Sequence, residues 1–416
     1  MRPVSQIDGM TGRQGRYLLL LRFFSGLREL ENGRWLPYGS PTISRLIEGL
    51  EKKSIEATVV LVCGEPGQFK HARKPLGICV DGFRHVRFVA LPFVRFTGIG
   101  CLDCLLNDIK HFFYCVRLAW KLRPALVYCV RATQVAGAFL TLCGFSVALR
   151  MMGAAIYYPF FRNRWNRFKH PLFYGSMRAR FACIIASIDG SAIRPLLEGF
   201  AHPRARKQYL INGVERADVP ARRAFAPGQM RILFVARFED QKGTQELLVA
   251  LRMLAAGRRD FQATLVGYGG SEELIRDQIR RQGLEGLAHI AGKVAHSRIM
   301  EAYMSHEIFV SLNRLGNLNN TVLEAMAAGC CTLMLGRGED GVDADTERII
   351  PADACVRVSR KDTAADLAGA LKRLLDSAAT VEEYSGKALR WAAEAVPTWE
   401  QRIEYELNLL EEVCAG

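Results

Sequence analysis

The chain has 416 residues, of which 50% are hydrophobic and 24% charged, a composition that excludes a disordered tail, a repeat fibre or a low-complexity array. It is longer than one core can serve, so two domains of roughly 200 residues are expected. Lys and Arg outnumber Asp and Glu by 56 to 42, and the excess sits at one end: residues 1–200 carry 28 basic and 12 acidic side chains, residues 201–416 carry 28 and 30. The first half should therefore face something anionic: a phosphate-rich substrate, a lipid surface or nucleic acid.

In chain order, apolar runs at 17–21, 58–63, 86–91, 125–130, 147–149 and 183–188 predict buried strands, with helices over 109–122 and 135–143 between them. The first run, bracketed by Arg16 and Arg22, is too short for a secretory signal, and Ser25 and Gly26 form a glycine-bearing turn after it. The longest apolar stretch, 134–149, falls short of a membrane span, holds Gly137 and Gly144, and is closed by Arg131 and Arg150. It is expected to be a buried helix running into a buried strand.

Residues 160–169 read Phe160-Phe161-Arg162-Asn163-Arg164-Trp165-Asn166-Arg167-Phe168-Lys169, and Phe173, Tyr174, Arg178 and Arg180 follow. This stretch interleaves aromatics with cations and carries no acid. An interfacial helix uses that pattern against anionic headgroups. The same composition would stack on single-stranded nucleic acid, or form a solvated cationic helix held down by its aromatics. We favour the lipid surface or a lipid-linked acceptor, and no nucleic acid.

The twelve cysteines are scattered, some within strand patterns (Cys63, Cys129, Cys183), some adjacent (Cys330, Cys331). The close pair Cys101 and Cys104 lacks a second pair or a His-x3-His partner, so no metal site is expected. Free thiols in a cytosolic protein are the plain expectation.

Residues 212–230 hold Gly213, Pro220, Pro227 and Gly228 without apolar period and read as a linker. Beyond them the alternation is regular, with strands at 232–236, 263–266, 307–312, 331–335 and 355–358. Leu247, Leu248, Leu251 and Leu254 mark one helix, and Leu367, Leu371, Leu374 and Leu375 another that Asp362 would cap. Apolar strands alternating with amphipathic helices predict an α/β fold: two Rossmann-like, doubly wound domains facing across a cleft, with ligands at the carboxyl ends of the strands.

Two stretches carry chemistry. In 232–243 a strand ends, Arg237 and Lys242 follow in the loop, and Gly243 opens a helix. Two cations beside a helix N-terminus suit a diphosphate, although a solvated turn would look the same. In 317–331, Asn319, Asn320 and Thr321 open a helix with Glu324 one turn inside, and Gly329 ends it. Asn320 is the expected cap, and Glu324 either serves the helix start or holds sugar hydroxyls.

Together these stretches resemble the nucleotide-sugar glycosyltransferases of the GT-B fold, specifically the large retaining group called family 4. Arg237, Lys242 and Gly243 match that family's donor-diphosphate loop, and Val266-Gly267-Tyr268-Gly269-Gly270 its glycine-bearing turn. His289 to Gly292, Ala302-Tyr303 and 308–311 match the approach to its acidic motif, and 323–329 the motif's end. The resemblance implies an acceptor-binding domain at 1–212, to which a C-terminal helix at 400–416 returns, and a donor-binding domain at 213–399. Asn212-Gly213-Val214 and Trp399 resemble the two crossings between them.

The sequence departs from the family in two places. A second Glu usually stands eight residues before Glu324, where this chain has Gly316; a His often found near the cleft is absent from 149–153. The resemblance implies a transferase that needs no cofactor beyond its nucleotide-sugar donor. Arg237 and Lys242 would stabilise charge on the departing β-phosphate without a metal. Gly243, Gly267, Asn319, Asn320, Thr321 and Glu324 would bind the donor, with Glu324 on the ribose. Gly26, Arg162, Arg164, Trp165, Arg167 and Lys169 would form an acceptor or membrane face. Asp343 and Asp345 have a metal-binding spacing but fall in a loop after a strand. An epimerase or hydrolase on the same fold, and a non-catalytic basic scaffold, are the rival readings.

Overall fold

The computed structural model describes residues 17–39, 41–69, 72–130, 133–216, 230–294 and 296–415. Arg131 and most of the expected linker, residues 217–229, lie outside the described residues. The first half forms an eight-stranded sheet from β1 (Tyr17–Arg22), β2 (Ala57–Val62), β3 (Leu76–Ile78), β4 (Val86–Leu91), β5 (Leu126–Val130), β6 (Val147–Met152), β7 (Cys183–Ser187) and β8 (Arg206–Leu210). Their order is β3-β4-β2-β1-β5-β6-β7-β8, parallel except for β3 at the edge. The second sheet contains β9 (Arg231–Val235), β10 (Gln262–Val266), β11 (Ala288–Gly292), β12 (Ile308–Ser311), β13 (Cys331–Leu335) and β14 (Val356–Val358). It is parallel throughout, in the order β11-β10-β9-β12-β13-β14.

The apolar runs become strands because helices cover both sheet faces. Along β1, Tyr17, Leu19 and Leu21 enter one core while Leu18 and Leu20 enter the other. The period of two thus divides a continuous apolar run between two cores. β3, β8 and β11 escape the pattern. Two are short or half-exposed edge strands, and β8 reads Arg-Lys-Gln-Tyr-Leu.

β6 continues past the expected boundary at Leu149 because Arg150 is paired rather than solvated. Its side chain is fully buried, donates to Ser187 Oγ at 2.7 Å and lies 4.0 Å from Glu406. Tyr128 Oη also donates to Glu406 at 2.7 Å, and Arg402 approaches it at 2.8 Å. Burial alone would push the Glu406 carboxyl up, but the Arg150 and Arg402 guanidiniums hold it below its ordinary value. Arg402 and Glu406 belong to helix Trp399–Ala415. That helix places Ile403, Leu407, Leu409 and Leu410 in the first sheet's core, against helix Pro41–Lys52.

The two chain crossings between the sheets are bonded to each other. Val214 N donates to Pro397 O at 3.0 Å and Trp399 N to Val214 O at 3.2 Å. A Cβ on Gly213 would sit 2.6 Å from Trp399 Cα, so only glycine admits the contact.

Glu406→Ala should destabilise the protein by about 3–5 kcal/mol, because two buried guanidiniums lose their counter-charge. Chemical denaturation will measure this, with Glu400→Ala as the control: Glu400, on the same helix as Glu406, pairs with Lys52 in full solvent, and its loss should matter little.

Candidate functional site

The loops after β9, β10 and β12 converge at the carboxyl edge of the second sheet. After β9 the chain tightens into a 3-10 turn at Asp240–Lys242, then passes through Gly243 at φ +76° into helix Thr244–Ala255. A side chain on Gly243 would run into Leu312 beyond β12, and one on Gly267 into the Ala236 carbonyl. The absence of both side chains lets these loops touch. Gly267 N donates to Gly292 O at 2.9 Å, and Phe238 N to Tyr268 O at 3.0 Å.

This packing half-buries Lys242. Burial lowers the pKa of its ammonium and the Arg237 charge lowers it further, while Glu239 and Asp189 pull it back. Arg237 is exposed and paired with Glu239 at 2.6 Å. A partly desolvated ammonium, a neighbouring guanidinium and a helix start are groups that would suit a polyanion. Sequence reasoning missed Thr244, in that helix's first turn, whose buried hydroxyl has no hydrogen-bond partner among the described residues.

The acidic stretch differs in detail from expectation. The cap of helix Asn320–Ala327 is Asn319, not Asn320: its Oδ1 accepts from Val322 N at 3.2 Å and from Thr321 Oγ1 at 2.6 Å. Asn320 instead accepts from Asn212 Nδ2 at 2.7 Å, and Asn212 Oδ1 accepts from Ser187 Oγ at 3.1 Å. A polar relay therefore runs from buried Arg150 to the start of this helix. Glu324 is only 5% exposed and accepts from Tyr303 Oη at 3.1 Å. Burial pushes its carboxyl up to about 7, with the Tyr303 bond opposing.

Gly316 has a backbone reason to be glycine. Its φ is +139°, and a Cβ would lie 2.5 Å from Gly190 C and Ser191 N. Leu318 N donates to Asp189 O at 3.2 Å and Asp343 N to Gly190 O at 2.7 Å, so loops of the two sheets interlock here. The nearby carboxylate comes from the first domain. Asp189 follows β7, its Oδ1 accepts from Ser191 N at 3.0 Å, and its Oδ2 occupies the space a side chain on Gly153 would need. Burial raises its pKa and the Asp343 charge adds to this. Sequence reasoning missed Asp189, whose signal is an acid followed by glycine at a strand's carboxyl end.

Asp343 and Asp345, expected in a loop, stand at the start of helix Ala344–Ile349 and bracket the two domains. Asp343 is fully buried and accepts from Asn317 N at 2.6 Å, Asn317 Nδ2 at 2.8 Å and Thr346 Oγ1 at 2.8 Å. Asp345 pairs with Arg194 of the first domain at 2.7 Å.

On the first domain's side, Gly26 O accepts from Tyr38 N at 3.1 Å, and a Cβ there would overlap the Tyr38 carbonyl. The Tyr38 ring lies 4.7 Å from Lys293 Nζ, which also stands 5.3 Å from the Tyr268 ring, so one cation joins the two lips of the cleft. The basic aromatic stretch is three short helices, Tyr157–Arg162, Arg164–Lys169 and Pro171–Ser176, where one was expected. Asn163 caps the second through Trp165 N at 2.9 Å. Phe161, expected at the surface, is core (1% exposed) against Phe173 and Phe200. Trp165 and Phe168 are exposed and stacked with Lys169 over the indole, while Arg167 lies half-buried on Tyr174. This face and the Arg237 loop lie on different domains.

This is the GT-B architecture, and solved GT-B structures superimpose on nearly the whole chain. Sucrose-phosphate synthase from Thermosynechococcus elongatus aligns with TM-score 0.70 and 16% identity over 96% of this chain and 100% of that one. Anabaena HepE in complex with UDP aligns with TM-score 0.67 and 13% identity over 95% and 100%. Residues 229–377, which hold the Arg237 loop and Glu324, match the family model described as Glycosyl transferases group 1. The second domain thus carries the segment that is similar to the group 1 glycosyl transferases. Among curated proteins, glycogen synthase of Mycobacterium tuberculosis is 26% identical over 194 residues, 46% of this chain and 45% of that protein. Phosphatidyl-myo-inositol mannosyltransferase of Mycolicibacterium smegmatis is 31% identical over 152 residues, 34% and 38%. The matched stretch spans less than half the length of these relatives.

Glu324 generates a pH-dependent prediction. Its carboxyl titrates near 7 in the fold against 4.5 when unperturbed, so the folded state binds the extra proton and stability falls as pH rises between those values. Glu324→Gln removes that slope: the variant should match wild type below about pH 4.5 and exceed it by roughly 3 kcal/mol above pH 7 in urea unfolding. If Glu324 also holds a ribose, the same variant will bind nucleoside diphosphates more weakly in calorimetry.

Proposed function

We propose that this protein transfers a sugar from a nucleoside diphosphate sugar to a lipid-linked or growing surface glycan at the cytoplasmic face of a membrane, with retention and without a metal. The observation that carries the donor half is Lys242, half-buried beside Arg237 at the start of helix Thr244–Ala255. Departure of the nucleotide builds negative charge on the β-phosphate, and cations already in place stabilise it with little reorganisation. Arg237 would exchange Glu239 for the diphosphate. Gly243 and Gly267 let backbone approach the phosphates; Asn319, Asn320 and Thr321 shape the helix start beside the donor; Glu324 meets the ribose. Asp189, carried by the first domain, faces the sugar and acceptor hydroxyls, and Gly26 sits on the acceptor side.

Support for the substrates comes from the relatives. HepE was solved with UDP and with UDP-glucose, and the mycobacterial mannosyltransferase is named for a phosphatidyl-myo-inositol acceptor. The retaining outcome rests on the family resemblance. No helix among the described residues is long and apolar enough to cross a membrane. Attachment would instead use Arg162, Arg164 and Lys169, with Arg167 held against Tyr174 and Trp165 at the headgroup level.

The test is nucleotide release from a panel of nucleotide sugars, with and without membrane extract. Arg237→Ala or Lys242→Ala should lower turnover by roughly 10²-fold or more while leaving unfolding almost unchanged. Normal turnover in both variants refutes the assignment. For the membrane half, neutralising Arg162, Arg164 and Lys169 should release the protein from anionic vesicles at moderate salt, since each cation near such a surface contributes about 1 kcal/mol and is screened beyond about 8–10 Å.

A further inference from the structure

Helix Gly100–Leu122 is inside out over its first turns. Asp103, Asn107 and His111, spaced by four, are buried at 2%, 1% and 4% exposure. Leu102, Leu105, Ile109 and Phe113, on the opposite face, are 39%, 55%, 45% and 65% exposed. A water-facing helix carries the reverse pattern.

The inward polar groups are fully engaged. Asp103 accepts from the amides of Phe96, Thr97 and Gly98 at 2.9, 2.7 and 3.1 Å. Asn107 bonds Val94 through both its amide groups, at 2.9 and 2.7 Å, and His111 Nε2 lies 3.2 Å from Pro92 O. These bonds fix the loop after β4 and bring Phe96 and Ile99, both more than half exposed, beside the apolar stripe. The exposed apolar surface continues from Phe113 through Phe112 to Phe139 on helix Gln134–Leu142, which packs on helix Pro171–Ser176, itself in contact with helix Arg164–Lys169. A groove with apolar walls opens next to Phe113, flanked by Lys110 and Arg117.

We propose that this face enters a lipid bilayer, with Leu102, Leu105, Ile109 and Phe113 at the boundary between headgroups and acyl chains. Charge selects that occupant: Lys110 and Arg117 flank Phe113, Arg95 adjoins Phe96, and Asp108 is the one exposed acid of the helix, in the half of the chain where cations outnumber acids by 28 to 12. The inference extends the membrane half of the proposed function and is independent of donor chemistry. It differs from the basic-cluster attachment in being apolar and therefore resistant to salt.

The test uses the full chain with phosphatidylcholine vesicles containing or lacking phosphatidylglycerol, at low and high salt. Cys101 and Cys104, both exposed on this helix, should lose reactivity toward a water-soluble maleimide when anionic vesicles are added, while exposed Cys79 should not. The double variant Leu105→Glu and Phe113→Glu should lose the salt-resistant fraction of binding, about tenfold or more, with unchanged melting and unchanged nucleotide release in solution. Unprotected Cys101 and Cys104 on the bound wild-type protein overturn the inference even if the basic cluster still holds the vesicle. A wild-type dimer that the double variant dissociates, with no vesicle protection, assigns the face to a second copy and overturns it equally.

Discussion

Arg150 places a permanent charge inside a parallel sheet with no access to water, and much of the architecture answers to it. A guanidinium so placed needs a counter-charge and acceptors. Glu406 and Ser187 supply them, one from the C-terminal helix and one from the neighbouring strand. The apolar face of helix Trp399–Ala415 would suit many positions on the first sheet; the requirement that Glu406 reach Arg150, Arg402 and Tyr128 together selects one. From Ser187 the same chain of bonds passes through Asn212 to Asn320, so the start of the Glu324 helix is registered against the first domain by polar contacts. Buried polar groups add less net stability than apolar packing of equal volume, but they penalise every misaligned arrangement.

That registration sets how closely the two sheets approach, and the approach decides which side chains the cleft can hold. Where Gly316 meets Gly190 the backbones are in contact, and there is no room for a carboxylate from the second domain. Asp189 stands a few atoms away on the other wall, in space left by Gly153. The cleft thus holds a first-domain carboxylate near Lys242, and the close approach at Gly190 and Gly316 leaves no such place on the second domain's wall.

The strands facing two cores were legible because a continuous apolar run has few other solutions in a chain of this composition. Arg237, Lys242 and Gly243 were legible because strand, cation, glycine and helix follow one another locally. What was not legible is non-local. Nothing in the sequence around Arg150 announces Glu406, and its charge suggested the end of a strand. Asn320 looked like a cap because capping is a local rule, yet its partner lies across the domain boundary and Asn319 takes the cap. Phe161 and Trp165 share one aromatic stretch, and only the break at Asn163 separates a core residue from a surface one.

The inverted helix shows the same limit from another side. Its pattern of apolar and polar residues is an ordinary amphipathic one, and periodicity says that two faces differ without saying which is inward. Direction is settled by the loop after β4, whose free amides at Phe96, Thr97 and Gly98 require acceptors. Asp103 can satisfy all three only by turning inward, and that carries Leu102 and Leu105 outward. Apolar exposure on this face is therefore the consequence of satisfying the loop after β4, and a surface-seeking helix needs no hydrophobic excess in the sequence. That is why the overall composition resembles that of any soluble domain while the exposed large apolar side chains gather between residues 96 and 172.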